Sequence, residues 1–342
     1  MSEDGMVVLG LDFGGSKLAA GTVEVQSEHL LNSAQIPTQG DVGAEAVFTD
    51  MVALARSLRG REAIQRVGVC FGGHVRQNRV LRSLHVSGWE DFPLVERLQE
   101  IFDVDTIRVE NDANAIALGE WKYGAGRGAE SLLYVTVSTG VGGGIVAQGR
   151  LYAGATGMAG EIGHMKLLSD GPPCPCGGQG CVEALAAGPA IARRATALLA
   201  QHPEISSAMR ECSAVTARQV NELAHQGDVL AAQALREGAR YLGLAIANAI
   251  NLLDVEQVVV GGGVSRAGPI WWDALRAAVH EGILPGRDSV SIKSSGLGED
   301  AGIWGAVAVV RRAESGAARG AGSGERKDEV GRMKDENGRD DG

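Results

Sequence analysis

A chain of 342 residues is long enough for two domains with real cores and a cleft between them. Its formal net charge of −10 speaks against a nucleic-acid surface, which needs clustered Lys and Arg. The acidic start Met1-Ser2-Glu3-Asp4 is unlike a basic signal peptide, and no apolar run approaches a membrane span, so the cytoplasm is expected, where cysteines bind metal more often than they pair.

The first expected strand covers residues 6–11 and runs into Asp12-Phe13-Gly14-Gly15-Ser16-Lys17 before a second apolar segment, 18–25. This predicts a β-hairpin with a glycine-rich tip. Its backbone N–H groups can face phosphate oxygens, and Asp12 can hold a metal ion or its water; a plain tight turn is the alternative. There is no Gly-Lys pair for a Walker-type loop and no G-x-G-x-x-G after a strand. Residues 44–58 are amphipathic and predict a helix, and 67–71 predict a buried strand ending at Gly72-Gly73-His74. Strand ends that open into glycine loops line the ligand crevice of α/β sheets, so Gly73 and His74 are candidate substrate contacts. A turn at Gly88-Trp89-Glu90-Asp91 precedes a helix over 93–102.

Next, Ile107-Arg108-Val109-Glu110-Asn111-Asp112 leads straight into an alanine-rich helix as far as about 123. A strand stopping on Glu-Asn-Asp puts Asp112 at a helix N-terminus facing the crevice. Capping alone needs one such residue, and here three polar ones cluster. Asp112 is therefore the candidate general base and Asn111 a candidate hydrogen-bonder. After the glycine-rich 124–128, read as a hinge or a domain boundary, the pattern restarts: a strand over 131–137, then Ser138-Thr139-Gly140-Val141-Gly142-Gly143-Gly144, then a strand over 145–147. Two strand–glycine–strand hairpins predict an internal duplication that holds one phosphate chain from both sides.

Gly160-Glu161-Ile162-Gly163-His164 and Cys174-Pro175-Cys176-Gly177-Gly178-Gln179-Gly180-Cys181-Val182-Glu183 have the composition of a metal site. His164, Cys174, Cys176 and Cys181 make the Cys₃His set of a structural zinc, although the spacing lacks the paired C-x₂-C knuckle. A disulfide with a spare thiol, or inert buried cysteines, are the alternatives. Four filled positions leave none for an activated water, so the metal is expected to shape a site. Glu161 and Glu183 remain as candidate substrate ligands, or as ordinary surface carboxylates.

Helices follow over 189–200, 216–226 and 229–253. The last is apolar from 242 to 253 apart from Asn248 and Asn251, which suits a core and can support a subunit interface. Val258-Val259-Val260 runs into Gly261-Gly262-Gly263-Val264, where an adenosine can lie on bare backbone, or an ordinary βα turn can form. A final helix over 302–312 is expected to pack on the first domain. From Ala313 onward, Gly, Ser and mixed charge predict disorder.

Taken together, Asp12–Lys17, Glu110–Asn114, Ser138–Gly144, Gly160–His164, the Cys174/Cys176/Cys181/Glu183 cluster and Gly261–Val264 resemble the ROK family of bacterial sugar kinases and sugar-responsive repressors. The resemblance implies a duplicated two-domain α/β fold of the actin/hexokinase (ribonuclease H-like) kind with a small zinc-binding insertion. The domains expected are 1–122, completed by the helix 302–312, and 123–301, with a tail over 313–342. The resemblance also implies that Asp112 deprotonates a sugar 6-hydroxyl and that Asn111, Glu161, His164 and Glu183 hold ring hydroxyls. Asp12, Gly14, Gly15, Ser16 and Lys17, with Thr139, Gly140, Gly262 and Gly263, would surround Mg-ATP. The expected partners are a sugar and ATP, with no nucleic acid and no membrane on the strength of the charge and hydropathy above, in a homodimer or homotetramer. Gly72-Gly73-His74-Val75 departs from the Pro-Gly-Pro-Val of many relatives, which leaves the sugar open, and Ser138 replaces a frequent glycine.

The expected activity is ATP-dependent phosphorylation of a hexose, glucose first, with N-acetylmannosamine, N-acetylglucosamine and fructose as alternatives. A sugar-binding transcriptional regulator is the rival from another class. Such repressors carry a winged-helix domain ahead of the kinase-like part, and the first strand here is expected near residue 6. Phosphoryl transfer needs positioning and charge neutralisation, which glycine loops, one Asp for metal and one Asp as base can supply.

Overall fold

The computed structural model describes residues 5–39, 42–58, 63–83, 85–287 and 289–317, with side chains as far as 311. Strand β1 (Val7–Phe13), β2 (Lys17–Glu24) and β3 (His29–Pro37) form an antiparallel meander. Helix α1 (Gly43–Ser57) leads to β4 (Ile64–Phe71), a small hairpin of β5 (Gly73–Arg76) and β6 (Arg79–Ser83) follows, and α2 (Leu94–Phe102) leads to β7 (Thr106–Asn111) and α3 (Asp112–Tyr123). The meander continues into parallel pairs, giving the order β3-β2-β1-β4-β7.

The second half repeats this plan. Strands β8 (Ser131–Val137), β9 (Val141–Ala147) and β10 (Arg150–Leu151) form its meander. Helices α4 (Val182–Ala186), α5 (Gly188–Gln201), α6 (Ala217–His225) and α7 (Val229–Leu253) cross over to β11 (Gln257–Gly261), and α8 (Pro269–Gly282) to β12 (Ser291–Ser294). The order is β10-β9-β8-β11-β12, again three antiparallel strands followed by parallel partners that need crossovers. Two sheets with one strand order are what an internal duplication produces.

The last helix, α9 (Ala301–Ala317), lays Ile303, Val307 and Val310 on Met6, Val8, Ala19 and Val23 of the first sheet. Gly68 permits this seat, because a Cβ there would run into the Ala306 carbonyl. The helix also extends to Ala317, into the stretch whose composition predicts disorder; the rest of that tail, 318–342, lies outside the described residues.

Two features position the cleft. Trp89 stands edge-on to Phe71, with ring centroids 4.9 Å apart, and to Phe13 at 5.6 Å. Phe13 and Phe71 immediately precede Gly14 and Gly72, so this buried aromatic cluster fixes the two strand ends from which the glycine loops leave. Glu120 of α3 is fully buried, and its carboxyl oxygens accept from the backbone N–H of Ala125 at 2.8 Å, Gly296 at 3.1 Å and Leu297 at 3.2 Å, and from Ser295 Oγ. One side chain thus ties the helix that begins with Asp112 to the glycine-rich 124–128 and to the turn after β12.

Several elements gave no clear signal in the sequence: β3, the β5–β6 hairpin, α8 and β12. The clue to α8 was Gly268-Pro269, since Pro is favoured in the first turn of a helix. No helix among the described residues is long and apolar enough to cross a membrane.

Candidate active site

The strand-to-helix junction at β7 and α3 builds the chemical corner. Asn111 caps α3: its Oδ1 accepts from Asn114 N at 3.1 Å, while its Nδ2 donates to the Gly73 carbonyl at 3.0 Å and to Asp112 Oδ1 at 3.0 Å. Asp112 is therefore the first helical residue and not the cap. Its Oδ1 also accepts from Ala113 N at 2.8 Å, and its Oδ2 faces Gly72, 3.8 Å from where a Cβ would stand. Burial pushes the Asp112 carboxyl above the ordinary carboxylate range, against the Ala113 N–H and the charge of His85, which pull it down. Asp12, near the end of β1, is raised to about 7, first by burial and then by the charge of Asp112. Cys70, its register partner on β4, donates its thiol to the Asp112 carbonyl at 3.9 Å.

The two glycine hairpins flank this corner. In the first, Gly14 N donates to the Lys17 carbonyl at 3.1 Å, and Thr38 Oγ1 braces the Gly14 carbonyl at 2.7 Å, leaving Gly15 and Ser16 exposed at the tip. Lys17 does not stand free at the tip: its Nζ donates to the Glu299 carbonyl at 2.9 Å and to Gln35 Oε1 at 3.1 Å. In the second hairpin, Ser138 N donates to the Gly140 carbonyl at 2.8 Å, and Gly188 N, opening α5, donates to the Ser138 carbonyl at 2.8 Å. Thr139 and Gly263 line one cavity of about 620 Å³ together with Pro189, Arg218, Asn221 and Arg266. That size suits a nucleoside. Arg218 and Asn221 went unnoticed in the sequence; their i,i+3 spacing places them side by side on α6.

His164, Cys174, Cys176 and Cys181 do come together, with one ligand atom from each within 4.8 Å of the others. His164 Nδ1 lies 3.8 Å from Cys174 Sγ, and Cys176 Sγ lies 3.7 Å from Cys181 Sγ. A metal with sulfur at about 2.3 Å and nitrogen at about 2.0–2.1 Å sets tetrahedral edges of about 3.5–3.8 Å, so the donor set fits one ion. All five cysteines are free, which removes the disulfide alternative. Burial pushes the Cys174 and Cys181 thiols up, while the Gly178 N–H pulls Cys176 down, so full ionisation of the set requires a cation.

The two glutamates approach the cluster at different residues, Glu161 at His164 and Glu183 at Cys174. His164 Nε2, on the ring edge away from Cys174, is 3.9 Å from Glu161 Oε2. Glu183 accepts from Val141 N at 3.0 Å through Oε2, and its Oε1 lies 4.0 Å from Cys174 Sγ. It therefore joins the cluster to the second glycine hairpin, two features that are distant in sequence. His74 places Nε2 3.2 Å from the Thr156 carbonyl. His85, which carries no pattern in the sequence, lies against Gly15, where any side chain would strike its ring.

The ROK family model matches residues 8–313. A glucokinase of Halalkalibacterium halodurans is 36% identical over 323 residues, which span 91% of this chain and 97% of the relative. An N-acetylmannosamine kinase of Escherichia coli O139:H28 is 36% identical over 264 residues, 77% of this chain and 84% of the relative. The crystal structure of a ROK family glucokinase from Streptomyces griseus in complex with glucose and AMPPNP matches with a TM-score of 0.76 at 32% identity, covering 90% of this chain and 99% of that one. The repeated sheets are the actin/hexokinase-like fold of these kinases. With the family match running from β1 into α9 and the sequence likeness covering nine-tenths of the chain, this protein belongs to the ROK family.

Proposed function

We propose that the chain is an ATP-dependent kinase that transfers the γ-phosphoryl group to the 6-hydroxyl of glucose. The observation that carries this is Asp112, whose Oδ1 is held by Ala113 and Asn111 while Oδ2 faces the crevice beside the glycine hairpins. Oδ2 accepts the proton of the sugar hydroxyl as that oxygen attacks phosphorus, and the raised proton affinity of a desolvated carboxylate strengthens it as a base. Asn111, Glu161, His164 and Glu183 hold ring hydroxyls, with Gly73 and His74 at the rim. Gly14, Gly15 and Ser16, joined by Lys17, take the phosphates from one side and Thr139 and Gly140 from the other, while Gly262 and Gly263 border the nucleoside. Magnesium, carried in on ATP, supplies charge neutralisation when bound, and Asp12 would hold the ion or its water.

The four-residue cluster holds one structural zinc in this reading. His164 meets it through Nδ1, which fixes the tautomer and leaves Nε2 to Glu161 and the sugar. The halves 1–122, with the helix 302–312, and 123–301 act as the two lobes of the cleft. We place the enzyme in the cytoplasm, where free thiols persist. It assembles as a homodimer or homotetramer, supported by the exposed Leu244 and Leu252, two turns apart on α7, and by Leu284 nearby in sequence to α8.

An ADP-release assay across glucose, mannose, fructose, N-acetylglucosamine and N-acetylmannosamine tests the reading. Turnover is expected, with glucose preferred; no turnover on any of them ends the kinase proposal. N-acetylmannosamine is the second acceptor to compare, on the strength of the relative from E. coli.

A further inference from the structure

A loop of the second half reaches across to the first half beside the sugar loop. After β10 the chain leaves the sheet at Tyr152 and closes a neck by the hydrogen bond from Ala159 N to the Ala153 carbonyl, 3.1 Å. The tip of this loop, Thr156-Gly157, lies on β5. His74 Nε2 is 3.2 Å from the Thr156 carbonyl. Gly157 has φ +84, and a Cβ there would stand 2.9 Å from the Val75 carbonyl and 4.0 Å from His74 Nε2. Only a residue without a side chain can be seated this way.

The base of the loop is held, since Tyr152 N donates to the Ile145 carbonyl at 2.8 Å and Ala153 packs on the core, but its outer part is loosely covered. The Tyr152 side chain is 56% exposed and Met158 50% exposed, so beyond Ala153 the loop buries little apolar surface of its own, and segments of that kind open at small cost. Downstream, the neck leads within two residues to Glu161 and then to His164. Upstream, His74 follows Gly73, whose carbonyl is held by Asn111. The tip contact therefore links the strand beside the base to the segment that carries a carboxylate and the metal-cluster histidine.

We infer that the loop over residues 152–159 is a gate on the sugar site and that the bond from His74 to the Thr156 carbonyl is its latch, which sets how long the sugar stays and not how fast phosphoryl transfer proceeds. This rests on the kinase reading of the same cleft. A carbonyl can only accept, so Nε2 carries a proton, and it does so both in one neutral tautomer and in the imidazolium. Arg82 is the residue opposite His74 on β6. His74 acts here as a positioning residue, through the loop.

The test uses the full-length protein with His74→Ala, His74→Gln, Gly157→Ala and the double variant His74→Ala/Gly157→Ala. Loss of one net hydrogen bond corresponds to about a three- to ten-fold loss of affinity. His74→Ala and Gly157→Ala are each expected to raise the glucose KM by about that factor, and Gly157→Ala, which lies outside the groups that hold the sugar, is expected to keep kcat at saturating sugar within about two-fold of wild type. The double variant is expected to be no worse than the poorer single one, because both break the same contact. His74→Gln, which keeps a donor, should recover most of the loss. Hydrogen exchange of the amides over 153–159 should quicken in both single variants while the sheets keep their protection. An unchanged KM with unchanged exchange, additive effects, or a fall in kcat equal to the fall in kcat/KM would overturn the latch. If wild type turns over no sugar, the kinase reading fails by itself, and loop exchange with and without glucose still decides the latch: slowing by glucose in wild type but not in His74→Ala supports it, and no difference refutes it.

Discussion

Asn111 gives its side-chain Nδ2 to Asp112 Oδ1 at 3.0 Å while its Oδ1 caps α3 through Asn114 N at 3.1 Å. Capping the helix and presenting a carboxylate to the cleft are thus divided between adjacent residues. The cap spends its acceptor on the helix and its donor on the neighbouring carboxylate, so Asp112 Oδ2 is left toward the cleft.

Replacing Asp112 with Asn keeps the shape of the corner and removes the base. General-base catalysis contributes about 10²–10⁴-fold, so kcat should fall by at least about 10² while glucose binding by calorimetry survives. A kcat close to wild type would remove Asp112 from the mechanism. Asn111→Ala should instead cost about 1 kcal/mol of stability from the lost cap, read by urea unfolding, and lower kcat by a smaller factor.

Folding raises the Asp12 carboxyl from 3.8 to about 7. The folded state then keeps a proton that the unfolded chain releases between these values. The contribution of this group to stability is fully present below about pH 4 and is lost as pH rises through 7. In metal-free buffer, Asp12→Asn should melt within a degree or so of wild type near pH 4, and several degrees higher near pH 8, where wild type carries two crowded carboxylates (order of magnitude from the linkage relation). Thermal melts across that range check the sign. A stabilising effect that is independent of pH would refute it.

Elemental analysis of purified protein should find one zinc per chain. Removing it, or making Cys176→Ser, should weaken glucose binding by about 10–100-fold, the usual effect of disturbing a metal-held arrangement. ATP affinity should fall less, but not stay constant, because Glu183 holds Val141 N of the second glycine hairpin. Absence of zinc, or unchanged glucose affinity without it, would defeat the assignment. Reloading zinc should also release protons, since burial keeps Cys174 and Cys181 protonated in the empty set.

Glu120 offers a test away from the chemistry. Glu120→Ala takes the acceptor from the N–H groups of the half-buried Ala125 and Leu297 and of the exposed Gly296, which should cost about 1–3 kcal/mol in urea unfolding. Glu120→Gln keeps one acceptor oxygen and should cost less. Equal stability for Ala and wild type would show that water replaces the carboxyl.

Much of the site was legible because its parts are local. A run such as Ser131–Val137, or the helix Val229–Leu253, carries its own periodicity, and both stand where the sequence places them. The three cysteines and the histidine lie close enough in sequence for a short chain to wrap round one ion, so their meeting needed no knowledge of the rest. Tertiary structure decided what spacing cannot encode. Ser295 meets Glu120 from 175 residues away, His85 lies against Gly15 although no local pattern joins them, and β3 gave little signal because half of its side chains face water. The sequence names which groups are available; which nitrogen of His164 faces the cysteines, which oxygen of Asp112 is free and which half Thr156 touches depend on the packing of two sheets against each other's loops, and no local pattern carries that.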